Sequence, residues 1–237
     1  MRNGNFSSSE IHKLIKAGPG KLDVFSSLGL TYIKEKKYEQ LLKRALSTDT
    51  NSRPTSWGTF MELYVWNYKM GLSDYKFEHK TRYAHDSIPN WNGCPDLVGD
   101  DRVGDIKCPY TLKSFCEMME CFDNPILLRE IKPEYYWQLV SNAILTNKSK
   151  AELIVYVPFK SEIADIKTFS EETDVFFQNN LDQNKYAWIN FAQDNDLPYL
   201  REDGFYSNLN TLAFDIPLED KELLTERVKL AVNLLIN

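Results

Sequence analysis

The sequence predicts an α/β fold in which one β-sheet is flanked by helices. Helical patterns fill the first third of the chain, and three short stretches with alternating apolar residues follow them. After a further helical region comes a strongly apolar stretch, Ala151 to Val157, and a helical pattern over 219–236 closes the chain. Helices that alternate with strands in this way pack on the faces of a shared sheet.

Three helices are predicted in the amino-terminal third. Hydroxyls in Ser7-Ser8-Ser9-Glu10 can cap the first helix, and Gly18-Pro19-Gly20 ends it. The second runs from about Leu30 to Leu46. The third follows the loop 51–54 and carries Glu62.

The strands of the sheet are predicted from alternation and from apolar content. Residues 76–85 alternate enough for one strand, and 94–99 and 103–108 supply two more, so that the three form a meander. The Leu-Ile-Val-Tyr-Val run within 151–157 indicates a strand that is buried on both faces.

The second half of the chain adds helices and one irregular stretch. Helices are expected over 112–122 and 133–146, the latter with Pro133 at its first turn. Residues 159–205 mix acidic and aromatic residues without a clear period, and we interpret them as a possible insertion. With 237 residues and 43% hydrophobic content, we expect 1–237 to form a single domain.

Composition limits the classes of function. The formal net charge is −6, which argues against a protein whose whole surface binds nucleic acid but leaves room for a local basic channel. The densest basic run lies on the second predicted helix, where a solvated helix face is the simpler interpretation. It consists of Lys34, Lys36, Lys37, Lys43 and Arg44. No stretch approaches the roughly 18 apolar residues of a membrane span, and the first residues lack the apolar core of a signal peptide, so we expect a cytoplasmic protein without membrane contact.

The cysteines and histidines do not form a recognisable metal site. The four cysteines contain no C-x-x-C pair, and the three histidines are scattered. Reduced thiols are therefore favoured over a zinc or iron–sulfur site. The cysteines are Cys94, Cys108, Cys116 and Cys121.

Two acidic residues and a lysine fall close together near the middle of the chain. If 103–108 is a strand, Asp105 and Lys107 leave the same face of the sheet. A turn at Gly93 and Pro95 could bring Asp96 to the same strand end, where the two carboxylates could share a hard divalent cation. A surface hairpin with a solvated Asp–Lys pair would show the same short pattern.

Two helices carry further polar candidates. Gly58 and Glu62 share a helix face, and the glycine would let a backbone or a nucleic-acid strand approach closely. Tyr135, Gln138 and Asn142 form a polar line along an otherwise aromatic helix. Taken singly, each also fits an ordinary surface or half-exposed position.

Taken in order, these segments resemble a known motif series. Trp-Gly-x-x-x-Glu62, Gly-x-Pro-Asp96, Asp105-x-Lys107-Cys-Pro and Tyr-Tyr-Trp-Gln138 are similar to the series of the lambda-exonuclease, or YqaJ-type viral recombinase, branch of the PD-(D/E)XK nucleases. The resemblance implies a restriction-endonuclease-like core, with a central mixed sheet flanked by helices. Three features depart from the pattern: an aspartate at Asp105 where glutamate is commoner, Leu97 in place of a glycine, and a longer 159–205.

The resemblance also implies roles for individual residues. Asp96, Asp105 and the backbone carbonyl of Ile106 would bind Mg²⁺, with Mn²⁺ as a possible substitute, while Lys107 would orient and help deprotonate the attacking water. Glu62 and Gln138 would position that water, the metals or the lysine. At the amino terminus, Arg2 and Ser9 resemble the segment that holds the 5′-phosphate of the DNA.

The implied activity is a Mg²⁺-dependent 5′→3′ exonuclease that digests one strand of linear double-stranded DNA and leaves a 3′ overhang. By the same resemblance, this would be a phage or prophage protein, acting in the bacterial cytoplasm as a ring-shaped homotrimer with a single-strand annealing protein. A PD-(D/E)XK endonuclease or a Cas4-like nuclease is the alternative within nucleases. A catalytically inactive DNA-binding or scaffold protein is the alternative outside them, although the set of Asp96, Asp105 and Lys107 weighs against it.

Overall fold

A five-stranded mixed sheet with helices on both faces forms the body of the protein. The computed structural model describes residues 4–20, 23–46, 52–70, 74–78, 80–176 and 186–236. The strands are β1 (Phe6–Ser7), β2 (Lys76–Phe77), β3 (Tyr83–Ala84), β4 (Trp91–Gly93), β5 (Leu97–Val98), β6 (Arg102–Lys107), β7 (Lys150–Tyr156) and β8 (Leu209–Asp215). The α-helices are α1 (Ser27–Leu42), α2 (Arg53–Tyr68), α3 (Leu112–Met119), α4 (Pro125–Ile131), α5 (Pro133–Leu145), α6 (Ile163–Phe176), α7 (Ala187–Phe191) and α8 (Leu218–Ile236). Short 3₁₀ helices cover Ser8–Leu14, Lys160–Glu162 and Asp194–Asp196. The α/β architecture expected from the sequence is confirmed.

The main sheet has the strand order β2-β5-β6-β7-β8. Strands β6 and β7 run parallel, and every other pair in this sheet is antiparallel. The parallel pair needs a crossover connection, which helices α3, α4 and α5 provide. A second, three-stranded sheet has the order β1-β4-β3.

The two faces of β6 and β7 are buried in separate hydrophobic clusters, because successive side chains point to opposite sides. Val103, Leu153 and Val155 pack with α5 and α8 on one face. Ile106 and Ile154 pack with α2 and α6 on the other. The carboxyl end of β6 therefore lies between two helical layers.

The prediction of one strand over 76–85 is wrong. Lys76–Phe77 pairs with β5 in the main sheet, whereas Tyr83–Ala84 pairs with β4 in the small sheet. A turn intervenes, closed by a 2.7 Å hydrogen bond from the Thr81 N–H to the Glu78 carbonyl. The residues around this turn are charged, so they offer no apolar face that would keep the strand continuous.

Two helix predictions also need correction. The first helix is the 3₁₀ helix Ser8–Leu14. The second begins at Ser27 rather than Leu30, because the Ser26 hydroxyl accepts a hydrogen bond from the Gly29 N–H. It ends at Leu42, where Lys43 takes a left-handed conformation with φ 55°.

The basic run on α1 is not a single solvated face. Lys36 is buried, with its ammonium 3.1 Å from Glu39 Oε2. Lys34, Lys43 and Arg44 are exposed. Within the described ranges, no helix is both long enough and apolar enough to span a bilayer.

Candidate metal and phosphodiester site

The register of β5 and β6 brings two carboxylates together. Leu97 of β5 lies opposite Gly104 of β6 in an antiparallel pair. Continuing that register by one residue places Asp96 opposite Asp105, and directly opposed residues have Cβ atoms roughly 4.5–5.5 Å apart. Both aspartates are buried, Asp105 completely. A bend at Asp96, directly after Pro95, thus brings this carboxylate to the strand end that holds Asp105.

A backbone hydrogen bond fixes the Asp96 carboxylate. Asp96 lies one residue before β5 begins, and its Oδ2 accepts a hydrogen bond from the Ile106 N–H at 2.8 Å. Burial is the main factor that raises the pKa of Asp96 well above its usual range, and the nearby charges of Glu62 and Asp105 add to it. Lys107 and the Ile106 N–H act in the opposite direction. The Asp96 carboxylate is therefore less favoured in its charged form than an exposed aspartate.

Asp105 lies between an amide and an ammonium group. Its Oδ1 accepts from Gln138 Nε2 at 2.8 Å. Its Oδ2 is 2.5 Å from Lys107 Nζ, but no donor makes a hydrogen bond of acceptable geometry to this buried oxygen. A buried carboxylate oxygen of this kind is suited to a cation.

Lys107 balances the carboxylates electrostatically. Burial alone would lower its pKa, but Asp105, Asp96 and Glu62 outweigh burial and raise the pKa above its ordinary value. The ammonium also lies 5.4 Å from the centroid of the Tyr135 ring. In this arrangement Lys107 carries its positive charge.

Each helical layer contributes one polar side chain to the site. Glu62 lies half-buried on α2, where its charge acts on Asp96 and Lys107. Buried Trp57 and Met61 on the same helix hold it against the sheet. Gln138 projects from α5 in the opposite layer. The structure thus brings together all five residues expected to act in catalysis.

Sequence reasoning missed two neighbours of the site. Tyr135, three residues before Gln138, belongs to the polar line on α5 but had no assigned role. The buried thiol of Cys108 directly follows Lys107, and burial, with the charges of Glu62 and Asp96, raises its pKa well above its usual range. Two signals in the sequence could have identified them: Cys108 directly follows Lys107, and Tyr135 lies at i, i+3 spacing from Gln138.

The unusual Leu97 is accommodated by a glycine on the next strand. Leu97 is fully buried. A Cβ added at its partner Gly104 would lie 3.0 Å from Leu97 Cδ1. Gly104 therefore leaves space for the leucine side chain, and the departure from the family pattern does not prevent Asp96 from reaching Asp105.

The amino-terminal 3₁₀ helix packs beside the strand that leads to Asp96. Ser8 is buried, and its hydroxyl lies 2.8 Å from that of Ser141 on α5. A Cβ added at Gly93 would come within 2.1 Å of Ser8 Oγ. Ser9 is exposed, with its hydroxyl 3.2 Å from that of Ser7, and this contact does not join it to the acidic residues. Arg2 lies outside the described residues.

All four cysteines are free thiols. In the described part of the chain, no group of three or more His, Cys, Asp or Glu side chains is arranged to hold a metal. A cation at this point would therefore have the carboxylates of Asp96 and Asp105 as ligands, with the Ile106 carbonyl as the further ligand that the resemblance implies.

Comparison with solved structures identifies the fold. The alkaline exonuclease LHK-Exo from Laribacter hongkongensis superposes with a TM-score of 0.63 and 13% identity over 99% of this chain and 89% of that chain. LHK-Exo in complex with dAMP gives a TM-score of 0.62 with the same identity and coverage. A phage-related exonuclease from Haemophilus somnus 129PT gives a TM-score of 0.59 and 14% identity over 98% of this chain and 93% of its own. No protein-family model matches the chain, and no curated protein sequence does. The expected architecture, a central mixed sheet flanked by helices, is confirmed, and the chain shares its fold with these exonucleases.

Proposed function

We propose that this chain is a metal-dependent deoxyribonuclease that removes nucleotides from the ends of DNA. The observation that carries the proposal is the convergence of Asp96, Asp105 and Lys107 at one strand end. Glu62 and Gln138 approach this point from opposite layers. The fold around this cluster is shared with the exonucleases named above.

The residues present fit a divalent cation. Asp105 Oδ2 is buried and lies 2.5 Å from Lys107 Nζ without a hydrogen bond of good geometry, and burial, with the charges of Glu62 and Asp105, raises the pKa of Asp96. Asp96, Asp105 and the carbonyl of Ile106 would hold Mg²⁺ or Mn²⁺, because these cations prefer oxygen ligands. When bound, the metal supplies charge stabilisation for the phosphate and lowers the pKa of a water nucleophile.

The protein groups orient the reactants around this position. Gln138 holds Asp105 through its amide, and the Ile106 N–H holds Asp96. Lys107 Nζ would orient the attacking water, and it would accept a proton from that water only after it had released its own proton to solvent. Glu62 would position the water or the lysine from the α2 side.

The finer features of the activity are proposed on the resemblance. They are 5′→3′ polarity on double-stranded DNA, a 3′ overhang, and recombination of phage type with a single-strand annealing protein. One neighbour is described as phage-related, and another was solved with dAMP. A homotrimeric ring would reconcile the net charge of −6 with DNA binding, since only its inner wall must be basic. Arg2 and Ser9 are proposed to receive the 5′-phosphate.

A nuclease assay with defined ends tests the proposal. Linear duplexes with either 5′-phosphate or 5′-hydroxyl ends, and a closed circle, are incubated with the protein and Mg²⁺ or Mn²⁺. We expect degradation of the linear substrates only, faster for the phosphorylated end, and about 10²–10⁴-fold slower cleavage by Lys107→Ala. Degradation of the circle would indicate an endonuclease. No degradation by wild type would favour an inactive DNA-binding protein.

The phosphate pocket and the assembly are tested separately. Arg2→Ala and Ser9→Ala should abolish the preference for the phosphorylated end without abolishing cleavage, and a preference that survives both changes would place the pocket elsewhere. Light scattering of the purified protein should give the mass of a trimer of the 27.6 kDa chain. A monomeric mass would contradict the ring.

A further inference from the structure

A row of aromatic side chains extends outward from the region of the candidate site. Trp57 on α2 contacts Tyr110 with ring centroids 6.2 Å apart, and Tyr110 contacts Trp188 on α7 at 6.1 Å. The guanidinium of Arg53 lies 5.4 Å from the Trp188 ring. We call Arg53, Trp57, Tyr110 and Trp188 the aromatic ledge. Tyr110 comes three residues after Lys107, so the ledge begins close to the carboxyl end of β6.

Hydrogen bonding and burial hold the ledge in place. Trp188 Nε1 donates to Ser56 Oγ at 2.9 Å, which ties α7 to α2. Trp57 is almost fully buried, whereas Tyr110 and Trp188 are half-buried and Arg53 is exposed. The inner part of the ledge is therefore rigid, and its outer part is available to a ligand.

A groove opens from the same tyrosine. It has a volume of about 640 Å³ and is lined by Tyr110, Leu112 and the segment 195–201. Leucine and proline side chains give it apolar walls, while Asn195, Asp196 and Arg201 supply polar groups of both signs. This combination suits a flat heterocycle with hydrogen-bonding edges that is attached to a phosphate.

The surface between the ledge and the acidic site is open. A Cβ added at Gly58 would meet no atom within 4 Å. Gly58 lies on α2 between Trp57 and Glu62 and shares a helix face with Glu62. A nucleic-acid strand could therefore run along α2 from the ledge to Glu62 without meeting a side chain at this position.

We propose that the aromatic ledge and the groove bind an unpaired nucleotide of the DNA substrate. Bases stack on aromatic rings and on arginine planes irrespective of sequence, and a groove of this volume accommodates one nucleotide rather than a duplex. Arg53 supplies positive charge for an adjoining phosphate, whereas the Arg201 guanidinium is already paired with Asp203 at 2.8–2.9 Å. Asn195 and Asp196 line the groove and offer hydrogen-bonding groups to the edges of the base. This inference rests on the proposed function, because it takes DNA to be the substrate, and it assigns a role to part of 159–205.

Binding measured without catalysis tests this inference. The full chain in EDTA is titrated with a single-stranded 12-mer that contains 2-aminopurine, whose fluorescence reports stacking, and with a blunt duplex of equal length. Arg53→Ala and Trp188→Leu should each weaken single-strand binding by about tenfold and reduce the 2-aminopurine response. Duplex binding should change less than single-strand binding. Phe191→Leu is the matched control, because Phe191 lies on α7, is 82% exposed and is outside the ledge; it should bind like wild type.

The outcomes separate the two proposals. If wild type fails to bind the single strand, or if both ledge variants bind it like wild type, the ledge is not a nucleotide site, whatever the cleavage assay shows. If wild type binds as expected but cleaves no DNA with Mg²⁺ or Mn²⁺, the proposed activity fails while the ledge stands. Thermal melting identifies any Trp188→Leu protein that is unfolded, and Arg53→Ala changes an exposed side chain, so it supplies an independent result.

Discussion

At the residue scale, Gln138 links a helix of one layer to the buried carboxylate of the sheet. Its amide donates to Asp105 Oδ1 at 2.8 Å, so it fixes the plane of a carboxylate whose other oxygen faces Lys107. A neutral amide suits this position, because Asp96 and Glu62 already place negative charge nearby. The orientation of Asp105 therefore depends on a residue 33 positions later in the chain.

Replacement of Gln138 by leucine should impair metal use more than folding. The change removes the donor to Asp105 Oδ1, and the loss of an outer partner of a metal ligand typically costs 10–100-fold in metal affinity or activity, so we expect about that loss. A Mg²⁺ titration of the cleavage rate measures it. Gln40→Leu is the control, because Gln40 lies on α1 and the change removes its amide hydrogen bond to the Gly4 carbonyl. An equal loss in both variants would contradict a specific role for Gln138.

Two glycines should respond to alanine in opposite ways. In Gly93→Ala, the new Cβ would lie 2.1 Å from Ser8 Oγ and 2.5 Å from Asn142 Oδ1, and such overpacking costs roughly 1–3 kcal/mol. In Gly58→Ala, the Cβ enters open space within α2, so helix propensity should stabilise the protein by about 0.5–1 kcal/mol. Urea unfolding measures both changes. A Gly93→Ala protein as stable as wild type would show that the amino-terminal 3₁₀ helix packs more loosely than described.

Spacing alone could predict only part of the site. Asp105 and Lys107 share a face because alternation in a strand is local. Their link to Asp96 could be anticipated from the turn at Pro95, but the opposition of Asp96 and Asp105 follows from the register Leu97–Gly104. Glu62 and Gln138 were identified through the order of motifs, since no local rule states which helix faces which strand.

At the scale of elements, most long periodic segments were predicted, whereas the short strands were missed, as were helix α6 within 159–205 and strand β8. Helix α5 and strand β7 lie within one residue of their expected bounds. Strands β1 and β4 span two and three residues, too few to show a period. Strand β8 lies at the edge of the sheet and buries alternate residues, Leu212 and Phe214 among them. In the sequence it comes shortly after the irregular stretch 159–205. Its pairing with β7 is a long-range contact that local pattern does not encode.

Glu162 joins three elements on the α2 side, and its contribution should depend on pH. Burial would raise its pKa, but hydrogen bonds from Lys69, the Phe159 N–H and Asn208 outweigh burial and lower it below the ordinary glutamate value. A lowered folded-state pKa means that its stabilisation is present above the ordinary glutamate pKa and is lost as the pH falls through the folded-state pKa.

The stability of Glu162→Gln relative to wild type tests this dependence. The variant should be less stable near neutral pH, and the difference should shrink as the pH falls below about 4.5. Urea unfolding of both proteins from pH 3 to pH 7 gives the free energies. Lys69→Met, which removes one partner, should weaken the pH dependence of the same difference. A difference that stays constant over the whole range would contradict a lowered pKa for Glu162.

At the scale of the whole molecule, the site lies where both layers and the sheet meet. The aspartates and the lysine come from the sheet, Gln138 from the layer of α5 and α8, and Glu62 from the layer of α2 and α6. Formation of the site therefore requires the complete fold. Asp96 and Asp105 are buried side by side, and burial together with the charges of Glu62 and Asp105 raises the pKa of Asp96.

Divalent cations should consequently stabilise the folded chain as a whole. A cation that binds only the folded state adds about 2.7 kcal/mol to the free energy of unfolding at 100 times its Kd. We expect the melting temperature to rise with Mg²⁺ or Mn²⁺ but not with NaCl at equal ionic strength, and Asp105→Asn to lose the rise because it removes a ligand charge. Asp101→Asn is the control, since Asp101 is a partly exposed carboxylate paired with Lys150 at 2.6 Å. If wild type shows no rise, or if Asp105→Asn rises equally, the cation does not bind between Asp96 and Asp105. Because this melting titration contains no DNA, it measures metal binding separately from cleavage. The stabilisation depends on the carboxylates and not on the attacking water.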